Sequence, residues 1–403
     1  MTSKNSNNYQ TDITVVGGCG HVGLPLAIAF ANKGLNVSIY DANETAVEIV
    51  KSGVMPFLEP GADIMLKKVI GDSLNVYSDP KVIIQSKYVI IIIGTPVDEY
   101  LNPDVNLFYK FISEIFEYLR DDQIIILRST VFPGTTEWLY QYLKDSDKSI
   151  GVSFCPERIA EGKAMEELFS LPQIISAFDK KTLDAVDKLF SNLIKRRIIL
   201  EPVQAELAKL FTNSWRYIQF AVANQFYMLA SEYETDFYKI FDAMKDNYPR
   251  TKGFPKAGFA AGPCLFKDTM QLSAFSNNHF FLGHSAMLIN EGLPNFVVQK
   301  LKEKYRLSEC TIGILGMAFK ADSDDNRSSL SYKLRKILLI EAKEVLCHDV
   351  YIKDDTFVSL EDTLNKSDII ILGAPHREYK VITIPAGKHI VDIWNFYKNG
   401  GLI

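Results

Sequence analysis

The chain has no excess of positive charge. Its 44 Lys and Arg stand against 49 Asp and Glu, a formal charge of −5, so neither nucleic acid nor an anionic membrane surface is the expected partner. Cysteine is scarce. Cys19, Cys155, Cys264, Cys310 and Cys347 lie far apart, with no CxxC pair and no Cys/His cluster. That pattern argues against a disulfide framework and against a zinc site of ordinary spacing, so no metal is expected. No apolar run approaches the ~20 residues of a membrane span. Residues 1–12 are polar and lack the charged-then-apolar layout of a signal peptide. The expectation is a soluble, cytoplasmic protein. At 403 residues the chain is long for one core and suits two or three domains.

What is present begins with a strand and a glycine turn. Residues 13–17 read ITVVG, followed by Gly18-Cys19-Gly20-His21-Val22-Gly23, a helical stretch ending at Gly34, and a second strand, NVSIYD, ending in Asp41. Strand, GxGxxG, helix, strand and an acid about twenty residues on form the dinucleotide-binding context. The glycines let the turn close and let a pyrophosphate approach the backbone, while the helix N-terminus offers free N–H groups. Asp41 suits the ribose hydroxyls and would repel a 2′-phosphate, and no Arg follows it, so NAD is expected over NADP.

Strands and helices then keep alternating. YVIIIIGTP ends in Gly94-Thr95-Pro96, a helix is expected over residues 105–120, QIIILRST ends at Ser129-Thr130, and GVSFCPE ends at Cys155-Pro156-Glu157. This alternation predicts a parallel, doubly wound sheet, whose ligands bind at the strands' carboxyl ends, where Thr95, Thr130 and Glu157 lie.

From Pro202 to about Tyr233 there is neither Gly nor Pro, which predicts one helix of about thirty residues against an ordinary ~11–12. Such a helix suits a domain junction or a dimer interface. Lys209 and Asn213, four apart, share a face. A further helix is expected around 234–246. A Gly/Pro-rich loop then leads to Gly262-Pro263-Cys264-Leu265-Phe266-Lys267-Asp268, a thiol, an ammonium and a carboxylate within five residues of what reads as loop. A thiol there can act as a covalent nucleophile if its proton is withdrawn. Beyond residue 310, TIGILG, a polar run with Lys320 and Arg327, EVLCHD, DIIILGAP and HIVDIW describe a second, smaller α/β region without GxGxxG.

These motifs together resemble the nucleotide-sugar 6-dehydrogenases, the group that includes UDP-glucose and UDP-N-acetylhexosamine dehydrogenases. The ordered stretches carrying the likeness are VVGGCGHVGLPLA, Glu59-Pro60-Gly61, Gly94-Thr95-Pro96, Ser129-Thr130 with Pro133-Gly134-Thr135-Thr136, CPERIAEGKAMEEL, ELAKLFTN, CLFKD and GMAFKADSDDNRSS. The resemblance implies an α/β fold: two Rossmann-like doubly wound parallel-sheet domains joined by a central helical region with one long helix. The domains would be 1–201 for NAD, 202–303 for the cysteine and dimer contacts, and 304–403 for the UDP moiety.

It also implies oxidation of a C6 alcohol to a carboxylate with two NAD⁺, through a thiohemiacetal and a thioester on Cys264. Lys209 would stabilise the oxyanion beside Asn213, Asp268 would activate water placed by Thr130, and Glu157 would move protons. The cofactor would rest on Gly18, Gly20, His21, Val22, Gly23, Asp41, Thr95, Thr130, Lys267 and Arg327. The UDP-sugar would meet Glu157, Arg158, Lys209, Asn213, Arg250, Phe259, Gly262, Phe319 and Lys320, in a homodimer built on the long helix.

The chain departs from the family pattern at FAAGP, where Pro263 before Cys264 has no N–H to offer a sugar, and at Phe266 and Gln225. Glu157-Arg158 with EGKAMEEL is similar to the N-acetylhexosamine branch, while CLFKD keeps the lysine of the UDP-glucose type. The reading leans to an N-acetylated sugar. UDP-glucose is the alternative, as is a single-step alcohol dehydrogenase of the hydroxyacid or 6-phosphogluconate type.

Overall fold

A computed structural model describes residues 9–95, 97, 98, 102, 104–259 and 262–403; Pro96 of the expected GTP turn and Ala260 and Ala261 before the cysteine lie outside them. The chain divides into two compact units, one ending at Phe211 and one beginning at Thr212.

In the first unit, short β-branched runs form eight strands: β1 (Thr11–Val16), β2 (Val37–Tyr40), β3 (Leu74–Tyr77), β4 (Ser86–Ile91), β5 (Ile124–Leu127), β6 (Gly151–Phe154), β7 (Gln173–Ala177) and β8 (Arg197–Ile199). They pair in the order β3-β2-β1-β4-β5-β6-β7-β8. All four residues of β5 are buried, as a parallel strand covered by helices on both faces requires. The register aligns Val16 with Tyr40 and with Ile91, Ile91 with Leu127, and Leu127 with Phe154. The segments after these residues therefore leave the sheet at one edge: the glycine turn, Asp41, Ile92–Thr95, Arg128–Thr130 and Cys155–Glu157.

One departure from the expected all-parallel sheet is that β7 pairs antiparallel to β6, with Ser153 opposite Ala177, and β8 follows β7 in parallel. Only seven residues of the β6–β7 connection, Ala164–Ser170, are helical. The chain thus re-enters the sheet from the end it left, without the full crossover a parallel neighbour needs.

The second unit holds most of the long helix, observed over Pro202–Glu232, with helices Phe237–Lys245, Gly262–Phe275 and Phe281–Lys304. Four parallel strands follow, β9 (Thr311–Leu315), β10 (Glu344–His348), β11 (Ile369–Leu372) and β12 (His389–Val391), in the order β10-β9-β11-β12. Helices and sheet share one core, in which Tyr217, Phe237 and Leu293 join Ile312, Ile371 and Val391.

Candidate active site

The glycine turn of the first unit is built by close approach. Gly17 sits at φ +72°, and a Cβ there would lie 2.1 Å from the Ile92 carbonyl oxygen, so only glycine lets the β1 and β4 ends meet. Asp41, ending β2, fastens this turn: its carboxylate accepts the Cys19 N–H at 3.0 Å and the Asn43 N–H at 3.0 Å. Cys19 itself is inert, because burial and then the Asp41 charge push its thiol up to about 12. Above the turn, a Cβ on exposed Gly20 would meet no protein atom within 4 Å, and the helix Gly23–Asn32 opens directly after Val22. The His21 ring packs on Phe57 at a tilt of 33°, 4.0 Å between ring centres, with Nδ1 3.3 Å from Glu161.

The neighbouring strand ends are tied to one another. The Thr95 hydroxyl donates to the Thr130 carbonyl at 2.6 Å, and the Ser129 hydroxyl accepts from the Ile93 N–H and donates to its carbonyl. Glu157 is buried and fully engaged: Arg128 donates to one oxygen, and the Arg158 and Ile159 N–H groups donate to the other at 2.6 and 2.9 Å. The Arg158 guanidinium folds back onto the Pro172 carbonyl. Lys209 is half-buried on the long helix. One turn before it, buried Glu206 accepts from the Gly134 and Thr136 N–H groups and the Thr136 hydroxyl, capping helix Thr135–Asp145. Sequence reading missed Arg128 and Glu206, although Glu206 lies inside the motif that carries Lys209.

In the second unit the expected cysteine loop is the start of a helix. Gly262–Phe275 places Cys264, exposed, in the first turn, where the missing N–H of Pro263 has no helical partner to lose. The reason is positional: Pro and Gly break a helix interior but suit its first residues. Asp268, one turn on, is fully buried, with Oδ2 accepting the Asn213 amide at 2.5 Å and Oδ1 3.4 Å from the Lys267 ammonium. Gly262 (φ +71°) lies against Phe319, whose ring a Cβ would meet at 2.6 Å. Buried Phe259 follows Gly258, whose N–H donates to Asn224 Oδ1 at 2.9 Å; Asn224 in turn donates to Asn290.

Lys320 lies 5.3 Å over the Phe319 ring, and exposed Arg327 clamps Asp325 through Nε and Nη2. Arg250 is exposed and stacked on Tyr248. The structure thus gathers Asn213, Cys264, Lys267 and Asp268 on two facing helices and sets Gly262 against Phe319, while Arg250 lies on the short turn Pro249–Thr251.

Three stretches match the UDP-glucose/GDP-mannose dehydrogenase family: its NAD binding domain over residues 11–194, its central domain over 203–291 and its UDP binding domain over 313–399. A UDP-N-acetyl-D-mannosamine dehydrogenase of Pyrococcus horikoshii is 32% identical over 91% of this chain and 90% of its own. One from Methanocaldococcus jannaschii is 30% identical, covering 94% and 89%. Among solved structures, a UDP-D-ManNAc dehydrogenase from Pyrococcus horikoshii superposes with a TM-score of 0.88 at 30% identity, covering 96% of each chain. A UDP-glucose dehydrogenase from Pyrobaculum islandicum reaches 0.90 over 100% of each; at 23% identity it speaks to fold alone.

Proposed function

The chain belongs to the UDP-glucose/GDP-mannose dehydrogenase family and is an NAD-dependent nucleotide-sugar oxidoreductase, and on that premise we propose that it oxidises the C6 hydroxymethyl of a UDP-N-acetylhexosamine to the uronic acid. The observation that carries this reading is Cys264, exposed on the first turn of its helix, with Asp268 buried one turn later and held by Asn213. A helix N-terminus is where a thiolate is favoured. UDP-N-acetylmannosamine is the foremost substrate, since the relatives at 30% identity and above carry that name.

The glycine turn, the open space over Gly20 and the Asp41 carboxylate fit NAD, with Thr95, Thr130, Lys267 and Arg327 as further contacts. When bound, it takes up one hydride at each oxidation. The C6 alcohol first loses a hydride and a proton to become an aldehyde. The Cys264 thiolate adds to the aldehyde carbon, and the resulting thiohemiacetal loses a second hydride to leave a thioester. Water cleaves the thioester to the acid and restores the thiol. Lys209 and Asn213 serve the oxyanion. Asp268 takes the proton from the attacking water, and Thr130 places that water. Glu157, fixed by Arg128, serves proton transfer. Lys320, Phe319, Phe259, Gly262, Arg158 and Arg250 receive the nucleotide sugar.

In this reading residues 1–201 bind NAD, 202–303 carry the cysteine, and 304–403 bind UDP. The long helix supports a homodimer, because Trp215, Val222, Phe226, Leu229 and Tyr233 form an exposed apolar stripe at helical spacing. The setting is cytoplasmic, with the uronic acid destined for a polysaccharide.

The test is a panel of UDP-glucose and the UDP-N-acetyl derivatives of glucosamine, mannosamine and galactosamine, read by NADH absorbance. About two NADH per sugar are expected from the two hydride steps. A ratio of one would indicate a single-step alcohol dehydrogenase and overturn the thioester mechanism.

A further inference from the structure

In the second unit the polar segment from Phe319 to Ser329 follows β9 and carries Lys320 and Arg327. Its own contacts tie Arg327 to the Asp325 carboxylate and the Phe319 N–H to the Asp325 carbonyl. Asp322, near its middle, sits at φ +55°, a left-handed state uncommon among non-glycine residues and most often taken by Asn and Asp. Its backbone N–H is met by His376, which lies beyond β11 and is completely buried.

His376 Nδ1 lies 2.9 Å from the Asp322 backbone N–H. A backbone N–H can only donate, so Nδ1 is the bare nitrogen and the ring proton resides on Nε2. Nε2 therefore donates to Asp349 Oδ2 at 3.1 Å. That carboxylate, just past β10, also accepts from the Met317 and Ala318 N–H groups at 2.5 and 3.1 Å, directly after β9, and from those of Tyr351 and Ile352. The next residue, Arg377, closes the arrangement from outside. Its N–H and its guanidinium both donate to the Asp322 carboxylate, at 2.9 and 3.0 Å.

We propose that His376 is a positioning residue for nucleotide-sugar binding: backed by Asp349, its bare Nδ1 pins Asp322 and so sets the segment that presents Lys320 to the diphosphate. Asp349 fixes which nitrogen carries the proton, and the bare nitrogen fixes the turn. Met317–Ala318, just before the segment, and Asp322 within it thus hang on one buried pair. This inference rests on the reading of the last sheet as the UDP-binding region.

The test compares full-length wild type with His376→Ala, His376→Asn and Arg377→Ala. UDP binding is measured by calorimetry and the nucleotide sugar and NAD by steady-state kinetics. Loss of one buried acceptor predicts that His376→Ala raises the UDP Kd and the nucleotide-sugar KM about tenfold, with kcat and the NAD KM changed less than about twofold. His376→Asn returns an acceptor near the Nδ1 position and is expected to recover most of the affinity. Arg377→Ala, a change at an exposed site that leaves the core untouched, is expected to raise the UDP Kd about two- to threefold and keeps the test open if His376→Ala does not fold. Wild-type affinity for UDP in both His376→Ala and Arg377→Ala would overturn the proposal, as would an equal loss in His376→Asn and His376→Ala. Failure of the wild type itself to bind UDP would instead remove the reading beneath it.

Discussion

The Asn213–Asp268 hydrogen bond allows a sharp test of what each residue does. Asp268 is fully buried, and its Oδ2 receives the Asn213 amide at 2.5 Å. Asn213→Ala leaves that oxygen without its donor inside the protein. A hydrogen bond to a charged group contributes roughly 1.5–3 kcal/mol, and an abandoned buried acceptor costs about as much, so a loss near 2–3 kcal/mol is expected. For a unit the size of Thr212–Ile403 that is a fall in melting temperature of roughly 5–10 °C.

Calorimetric melting of Asn213→Ala, Asp268→Ala and the double variant closes a cycle. The expected coupling is about 1.5–3 kcal/mol, because once Asp268 is gone the second truncation costs little. Turnover of Asn213→Ala should fall by roughly 10²–10³, the usual effect of removing one catalytic donor. Stability losses that add to within about 0.5 kcal/mol would refute this reasoning. They would mean that the Asn213 amide does not hold Asp268 in solution and faces substrate alone.

Three further outcomes are expected. Iodoacetamide at pH 8 should label one thiol rapidly, and Cys264→Ala should abolish that phase; Cys19, Cys155 and Cys347 are buried and pushed up to about 12, 11 and 11, so fast labelling of any of them would contradict the site. Gly17→Ala should lose roughly 2–3 kcal/mol from positive φ and the clash with the Ile92 carbonyl, read by denaturant unfolding together with weakened NAD binding. Burial by itself would raise the Asp349 carboxyl, but the His376 hydrogen bond and the Ile352 and Met317 N–H groups outweigh it and hold it below its usual value. A depressed acid contributes stability that is present above its unfolded value near 4 and lost as pH falls through the folded one. Melting of Asp349→Asn should therefore show a deficit at pH 7 that closes below about pH 4, and a deficit constant with pH would refute it.

Much of this molecule can be read from local pattern. The β1 strand, the glycine turn and Asp41 declare a dinucleotide site within thirty residues, because strand, turn and helix are each short-range structures. The long helix was expected to about Tyr233 and ends at Glu232 for the same reason. What escaped reading joins distant segments. The reversed direction of β7 depends on where its connection re-enters the sheet. Arg128 reaches Glu157 across 29 positions, Asn213 reaches Asp268 across 55, and neither pairing leaves a periodic trace. The cysteine stretch was misread as loop because Gly262 and Pro263 signal a break in the middle of a helix and a start at its beginning, and spacing alone does not tell which.

The sequence by itself determined the chemistry available: a dinucleotide turn, a thiol, an ammonium–carboxylate pair and a second α/β region. Only the tertiary structure decided which groups are committed and which are exposed. Burial makes Cys19, Cys155 and Cys347 inert and a helix N-terminus presents Cys264, so identical side chains differ in role because their surroundings differ in solvent and in field.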